Sequence, residues 1–236
     1  MVATGRFYGG IPQELRDLPF LRYFILMNGA KVYDRRTDKT LGRAEIPWET
    51  VEAVIDFLEP LHCSVDCFQN DRGLMARKYY DRLEQYVTHP PSFALVKRTR
   101  EPVDDLKEAV LAGGGSVQKL QAYFPDLELR PKVMEQCKLV FPDLVQAISM
   151  PANLEFNAPD ATKGNGLRTL CRCLGIDPRE AAAFGDGTND LSLLQEAGIG
   201  VAMGNAGDEV KEAADYVTDS VDDDGVMNAL RHFDVI

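Results

Sequence analysis

Hydrophobic positions along the chain alternate between two periods. Between Tyr23 and Met27 an apolar run ends in Asn28-Gly29-Ala30, the pattern of a short strand entering a turn. Lys31 to Ile46 reads as a hairpin with Asp38-Lys39 near its tip. After Pro47 short elements interleave. Helices are predicted over Thr50–Leu58, Tyr79–Val87, Val103–Leu111 and Pro131–Phe141. Strands are predicted over Ser64–Phe68, Gly73–Arg77, Phe93–Val96, Val117–Phe124, Leu144–Ser149 and Asn153–Asn157. Thr162 then N-caps a helix whose inner face is Leu167, Leu170, Cys171 and Leu174, with Gly175 as its stop. From there strands (Ala181–Phe184, Ile199–Met203, Tyr216–Thr218) alternate with helices (Leu191–Ala197, Glu209–Ala214, and a last one from Val226), the rhythm of a βαβ sheet.

This division predicts an α/β core in two pieces, 1–46 and 156–236, with an α+β module inserted at 47–155. The net charge of −11 argues against non-specific nucleic-acid binding, which needs a basic face. No apolar run approaches the ~20 residues of a membrane span, so the expectation is a cytoplasmic protein. Five cysteines do not make a disulfide framework. His62, Cys63 and Cys67 lack a second ligand pair with zinc-like spacing.

Candidate chemistry gathers at Phe184-Gly185-Asp186-Gly187-Thr188-Asn189-Asp190. A strand, a Gly-rich turn and a helix set two carboxylates at the carboxyl edge of a sheet, where open α/β folds bind ligands. Such a pair suits Mg²⁺, which takes one or two protein carboxylates and fills its octahedron with water and phosphate oxygens. An EF-hand is excluded, because the sixth and twelfth places counted from Asp186 hold Leu191 and Ala197. Lys163 falls in the first turn of its helix, where ammonium and dipole both favour an anion. Thr4 and Gly5 offer a hydroxyl and an approachable N–H to a phosphate oxygen. Gly113-Gly114-Gly115-Ser116 lacks the Gly-Lys-Ser/Thr ending of a phosphate loop and reads as a turn.

Taken in order, Ala3-Thr4-Gly5-Arg6, Asn28-Gly29-Ala30, Lys163-Gly164, Gly185-Asp186-Gly187-Thr188-Asn189-Asp190, Gly204-Asn205-Ala206, Ala213-Ala214-Asp215 and Asp224-Gly225-Val226 resemble the motifs of haloacid dehalogenase-like hydrolases, in the Cof-like branch with a type IIB α/β cap. The resemblance implies a Rossmann-like core with a largely parallel sheet. It also implies a Mg²⁺-dependent phosphatase of small phosphorylated metabolites, working through an aspartyl-phosphate. On the matching positions, Thr4 resembles the phosphate ligand of the second motif and Lys163 the lysine of the third. Asp186 resembles the metal ligand, Asp190 the supporting acid beside it, and Asn28 and Asn189 phosphate-side hydrogen-bonding groups.

One motif departs from the family. No Asp-x-Asp-Gly-Thr precedes Ala3, and in the family that motif carries the nucleophile on the first strand of the core. Asp222-Asp223-Asp224-Gly225 is a decoy, since it does not follow a strand that would present a nucleophile. The expectation is therefore that the first core strand is missing, that these 236 residues lack the front of a longer protein, and that by themselves they are nearly inactive. The alternative expectation is a non-catalytic module that binds a phosphorylated metabolite.

Overall fold

A computed structural model describes residues 1–236. In chain order the elements are β1 (Val2–Ala3), α1 (Gln13–Arg16), β2 (Tyr23–Leu26), β3 (Lys31–Asp34), β4 (Lys39–Arg43), α2 (Trp48–Leu58), β5 (Ser64–Gln69), β6 (Arg72–Ala76) and α3 (Arg77–Tyr80). Then come α4 (Pro90–Thr99), β7 (Arg100–Val103), α5 (Leu106–Ala112), β8 (Lys119–Tyr123), α6 (Leu129–Val140), β9 (Val145–Ala147) and β10 (Asn153–Asn157). The chain closes with α7 (Lys163–Leu174), β11 (Ala182–Gly185), α8 (Leu191–Glu196), β12 (Ile199–Ala202), α9 (Asp208–Glu212), β13 (Tyr216–Val217) and α10 (Gly225–His232). No helix is long and apolar enough to cross a membrane.

These elements form two compact units. The first comprises residues 1–4, 22–42 and 162–236; the second comprises 5–21 and 43–161. The sequence reading set its boundaries at 46/47 and 155/156 and kept 5–21 with the core. In the structure that segment clusters with the second unit.

The first unit holds two sheets where one largely parallel sheet is expected. One has the order β1-β2-β3-β4 and the other β11-β12-β13. β1–β2, β11–β12 and β12–β13 are parallel, whereas β2–β3 is antiparallel. β1 and β11 each end their own sheet and do not pair with each other, so the architecture is α/β with mixed sheets. One apolar cluster joins them: Ile25 of β2, Leu167 and Cys171 of α7, Leu193 and Leu194 of α8, and Ala183 and Ala202 of β11 and β12. Burial of these side chains contributes about 25 cal/mol per Å² of apolar surface removed from water.

The second unit is built on a six-stranded sheet of order β7-β6-β5-β8-β10-β9. One predicted element changes identity here, and one strand is added. Phe93–Val96 lies inside α4, because Pro90 and Pro91 occupy the first turn, where a missing N–H costs the helix nothing. The run 100–103 is strand β7, so the helix predicted from Val103 begins only at Leu106, as α5. Pro102 is tolerated because β7 is an edge strand. The helix predicted over Tyr79–Val87 is reduced to the single turn α3 and a 3₁₀ turn at Leu83–Gln85.

A bidentate pair closes the β2–β3 hairpin of the first unit. Arg22 donates from Nε to Asp34 Oδ1 at 2.9 Å and from Nη2 to Oδ2 at 2.6 Å. The Arg22 hydrogen bonds hold the Asp34 carboxyl well below the usual carboxylate range, against the opposing effect of burial. A carboxyl whose folded pKa is depressed stabilises the fold above its unfolded value of about 3.9 and loses that contribution as pH falls toward the folded value. Asp34→Asn is therefore expected to lower the melting temperature at pH 7, with the gap to wild type narrowing below about pH 4. Thermal melts between pH 2.5 and 7 check this, and a gap constant over that range would contradict it.

Candidate active site

Three loops of the first unit meet at the carboxyl ends of β2 and β11. The first is the turn after β2, where Asn28 adopts a left-handed conformation (φ +58°) and is buried. Gly29 follows at φ +106°, and a Cβ there would lie 2.0 Å from the Thr162 carbonyl oxygen. Only glycine allows this turn to press against the start of α7.

The second loop is the start of α7. Thr162 caps it, its Oγ1 accepting from Asn165 N at 3.2 Å. Gly164 N donates to Ser192 Oγ at 3.1 Å, and a Cβ on Gly164 would lie 2.3 Å from the Ser192 carbonyl oxygen. Close packing of α7 on α8 brings Lys163 alongside the third loop.

That third loop is Asp186–Asp190, and Asp190 organises it. Lys163 Nζ donates to Asp190 Oδ1 at 2.5 Å, with both residues buried. Asp190 Oδ2 accepts from the backbone N–H of Asp186 and of Gly187, each at 3.1 Å. Asp190 is thus bonded at both oxygens. Asp186 is exposed, and its Oδ2 accepts from Asn205 Nδ2 at 3.2 Å. Asn205 is fixed in turn by Val221 N, which donates to its Oδ1 at 3.1 Å.

The remaining expected residues connect to this group in different degrees. Asn189 Nδ2 donates to Asn28 Oδ1 at 3.1 Å, bridging the first and third loops. Thr4 is joined to the β2 end by backbone bonds, Thr4 N to the Ile25 carbonyl (2.8 Å) and Asn28 N to the Thr4 carbonyl (3.1 Å). Thr4, Asn28, Lys163, Asp186, Asn189 and Asp190 all belong to the first unit, while Gly5 falls in the second. Two residues that the sequence reading does not single out for a site, Ser192 and Asn205, brace its loops. Asn205 sits in the quoted Gly-Asn-Ala motif, a usable signal; Ser192 had none.

For a divalent cation the donor set is narrow. No group of three His, Cys, Asp or Glu is placed to hold a metal ion. Asp186 alone offers a carboxylate that is exposed and only partly bonded, which fits Mg²⁺ bound mainly through water and substrate oxygens. The Asp222–Asp224 run lies on a turn before α10, where Ser220 Oγ bonds Asp223 Oδ2 at 2.6 Å and Asp224 is left-handed (φ +58°). All five cysteines are free, and burial pushes the Cys63 thiol up to about 12.

Residues 1–230 match the haloacid dehalogenase-like hydrolases. The chain is 29% identical over 240 residues to the putative phosphatase YxeH of Bacillus subtilis, covering 98% of this chain and 84% of that protein. A stretch of 108 residues is 42% identical to 5-amino-6-(5-phospho-D-ribitylamino)uracil phosphatase YcsE of Bacillus subtilis; it spans 46% of this chain and 43% of that enzyme. Among solved structures, the subclass IIB sugar phosphatase BT4131 superposes with a TM-score of 0.79 at 29% identity, over 99% of this chain and 85% of its own.

The two aspartates differ in a measurable way. Asp190→Ala strands a buried ammonium and two turn N–H groups, so a loss of about 3–5 kcal/mol in unfolding free energy is expected. Asp186→Ala, at an exposed position, is expected to stay within about 0.5 kcal/mol of wild type. Urea unfolding of both variants checks the contrast, and equal losses would contradict it.

Proposed function

Because the chain belongs to the haloacid dehalogenase-like hydrolases, in the Cof-like subclass IIB, we propose that its first unit holds the phosphoryl group of small phosphorylated metabolites in a Mg²⁺-dependent phosphomonoesterase reaction. The observation that carries this reading is the buried Lys163 ammonium, held by Asp190 at the rim where the Asn28 and Asp186 turns meet. A lysine so fixed presents positive charge without the conformational freedom it would have on the surface, and a phosphate dianion is the natural counter-charge. The names of YcsE and BT4131, a phosphoribityl and a sugar phosphatase, support a small phosphorylated metabolite as the ligand class.

Each residue then has a separate task. Lys163 neutralises phosphoryl oxygens, and Asp190 keeps the ammonium aimed while tying down the Asp186–Gly187 turn. Asn189, held by Asn28, and the Thr4 hydroxyl hydrogen-bond to phosphate oxygens. Asp186 would hold Mg²⁺, oriented by Asn205. Bound there, the cation would offset negative charge developing on the phosphoryl oxygens.

A second reading, binding without turnover, has an observation in its favour. Asp190 is bonded at both oxygens, by Lys163 and the turn amides, and Asp186 at one oxygen by Asn205, so neither carboxylate of this turn stands free as a nucleophile.

Inorganic phosphate is expected to bind the full chain more tightly with Mg²⁺ than without, and at least tenfold more weakly to Lys163→Met and Asp186→Asn, by isothermal titration. On the second reading, phosphate release from para-nitrophenyl phosphate stays near the buffer rate. Mg²⁺-dependent turnover that Asp186→Ala abolishes would overturn the second reading. Phosphate binding indifferent to both substitutions would overturn the first.

A further inference from the structure

The two edges of the six-stranded sheet are built differently. β7, at one edge, carries Glu101, which pairs with Arg72, and Pro102, which has no N–H to offer a further strand. Charge and proline are the devices that keep a sheet edge from recruiting another chain. β9, at the other edge, has neither. From Leu144 to Ile148 the sequence is Leu-Val-Gln-Ala-Ile, with no charge, proline or glycine.

Register decides which backbone groups of β9 are left over. Phe124 N donates to the Ala152 carbonyl at 2.8 Å, so these two residues form a bonded antiparallel pair. Bonded and non-bonded pairs alternate along a strand. On β10, Leu154 and Phe156 therefore turn their N–H and C=O toward β8, while Asn153, Glu155 and Asn157 turn theirs toward β9. Glu155 lies opposite Ala147, and Asn157 opposite Val145. The N–H and C=O of Gln146, between them, point out of the sheet, as does the N–H of Ile148. No further strand lies beyond β9, and no other backbone group bonds to either residue. Only the side chain of Gln146 is tied down, its Nε2 donating to the Met134 carbonyl of α6 at 3.2 Å.

The surroundings of this edge are apolar and exposed. Leu139 and Val140 end α6, and Val145 and Ile148 lie on and just after β9; all are exposed. Leu139, at 84%, is the most exposed of the chain's large apolar residues. Outward-facing backbone groups flanked by such side chains form a template for another strand.

The segment satisfies that template when paired with itself. In an antiparallel pairing about a two-fold axis through Gln146, Gln146 meets Gln146 and Val145 meets Ala147. Leu144 then meets Ile148, and Asp143 meets Ser149. Apolar side chains face apolar ones, and no like charges are opposed although each chain carries −11. The outward-facing residues fall on the bonded positions, where each Gln146 N–H meets the other Gln146 carbonyl. A register shifted by one residue would set Gln146 against Ala147, whose N–H and C=O are already turned to Glu155. We propose that β9 is a self-association edge, pairing antiparallel with β9 of a second copy of this chain to form a homodimer. The inference is independent of the phosphatase reading.

Sedimentation equilibrium of the full chain through the micromolar range tests it, and twice the mass of one chain is expected. Val145→Lys combined with Ala147→Lys sets like charges across the axis, and is expected to weaken the dimer at least tenfold. Val145→Glu combined with Ala147→Glu is expected to do the same. An equimolar mixture of the two double variants is expected to regain the wild-type dimer, a rescue that simple loss of folding would not give. Ile148→Pro removes an outward N–H and leaves the β9–β10 ladder intact, so it serves if the charged variants fail to fold; it too is expected to weaken association. A monomer at every concentration would overturn the proposal. So would a dimer that neither Ile148→Pro nor the charged variants disturb.

Discussion

A single buried ion pair governs the geometry of the first unit. Lys163 opens α7 and Asp190 ends the turn between β11 and α8, and both are almost wholly removed from water. Desolvating two charges is costly, and attraction compensates only when the remaining hydrogen-bonding capacity is also filled. Asp190 meets that condition on its side: one oxygen takes the ammonium and the other takes two turn N–H groups. The pair thus fixes more than itself. It sets the path of the Asp186 turn, the approach of α7 to α8, and through Asn189 and Asn28 the end of β2.

The second unit solves the burial of charge differently. Its Asp66–Arg100 and Lys119–Glu155 pairs are equally buried, yet they lie in a face with unfilled acceptors. Burial pushes the Asp66 carboxyl up even beside Arg100, whereas the bidentate hydrogen bonds from Arg22 pull the Asp34 carboxyl down despite its burial. The same residue type is moved in opposite directions by which influence dominates, loss of solvent or gain of a partner.

Much of the first unit was legible in the chain. Thr162, Lys163 and Gly175 bracket a helix by capping chemistry, and the Gly-Asp-Gly-Thr-Asn-Asp run announces a strand-end turn with carboxylates. These are local signals, set by neighbours within a few residues. Other features depended on distant partners. Nothing near Pro102 says that it will lie at a sheet edge, and two adjacent prolines look like a break until a helix is seen to start on them. Alternation in Ser64–Gln69 and Lys119–Tyr123 predicts which side chains share a face, but not what will cover that face. The segment 5–21 is the sharpest case, because its compact partners lie beyond residue 43 while its sequence neighbours belong to the first unit. Asp190 was legible as an acid of the Gly-rich turn, though not as a residue with both oxygens already bonded.

The division of the chain has a consequence for biosynthesis. The second unit is complete once residue 161 has emerged from the ribosome, whereas β1 to β4 must wait for the final 75 residues to supply α7, α8 and their shared core. At ~5–20 residues per second that delay is about 4–15 s. During it the apolar side of β2 is exposed on a nascent polypeptide, so a holdase that grips short hydrophobic strands has its window there, between the maturation of the inserted module and the arrival of the carboxyl-terminal third.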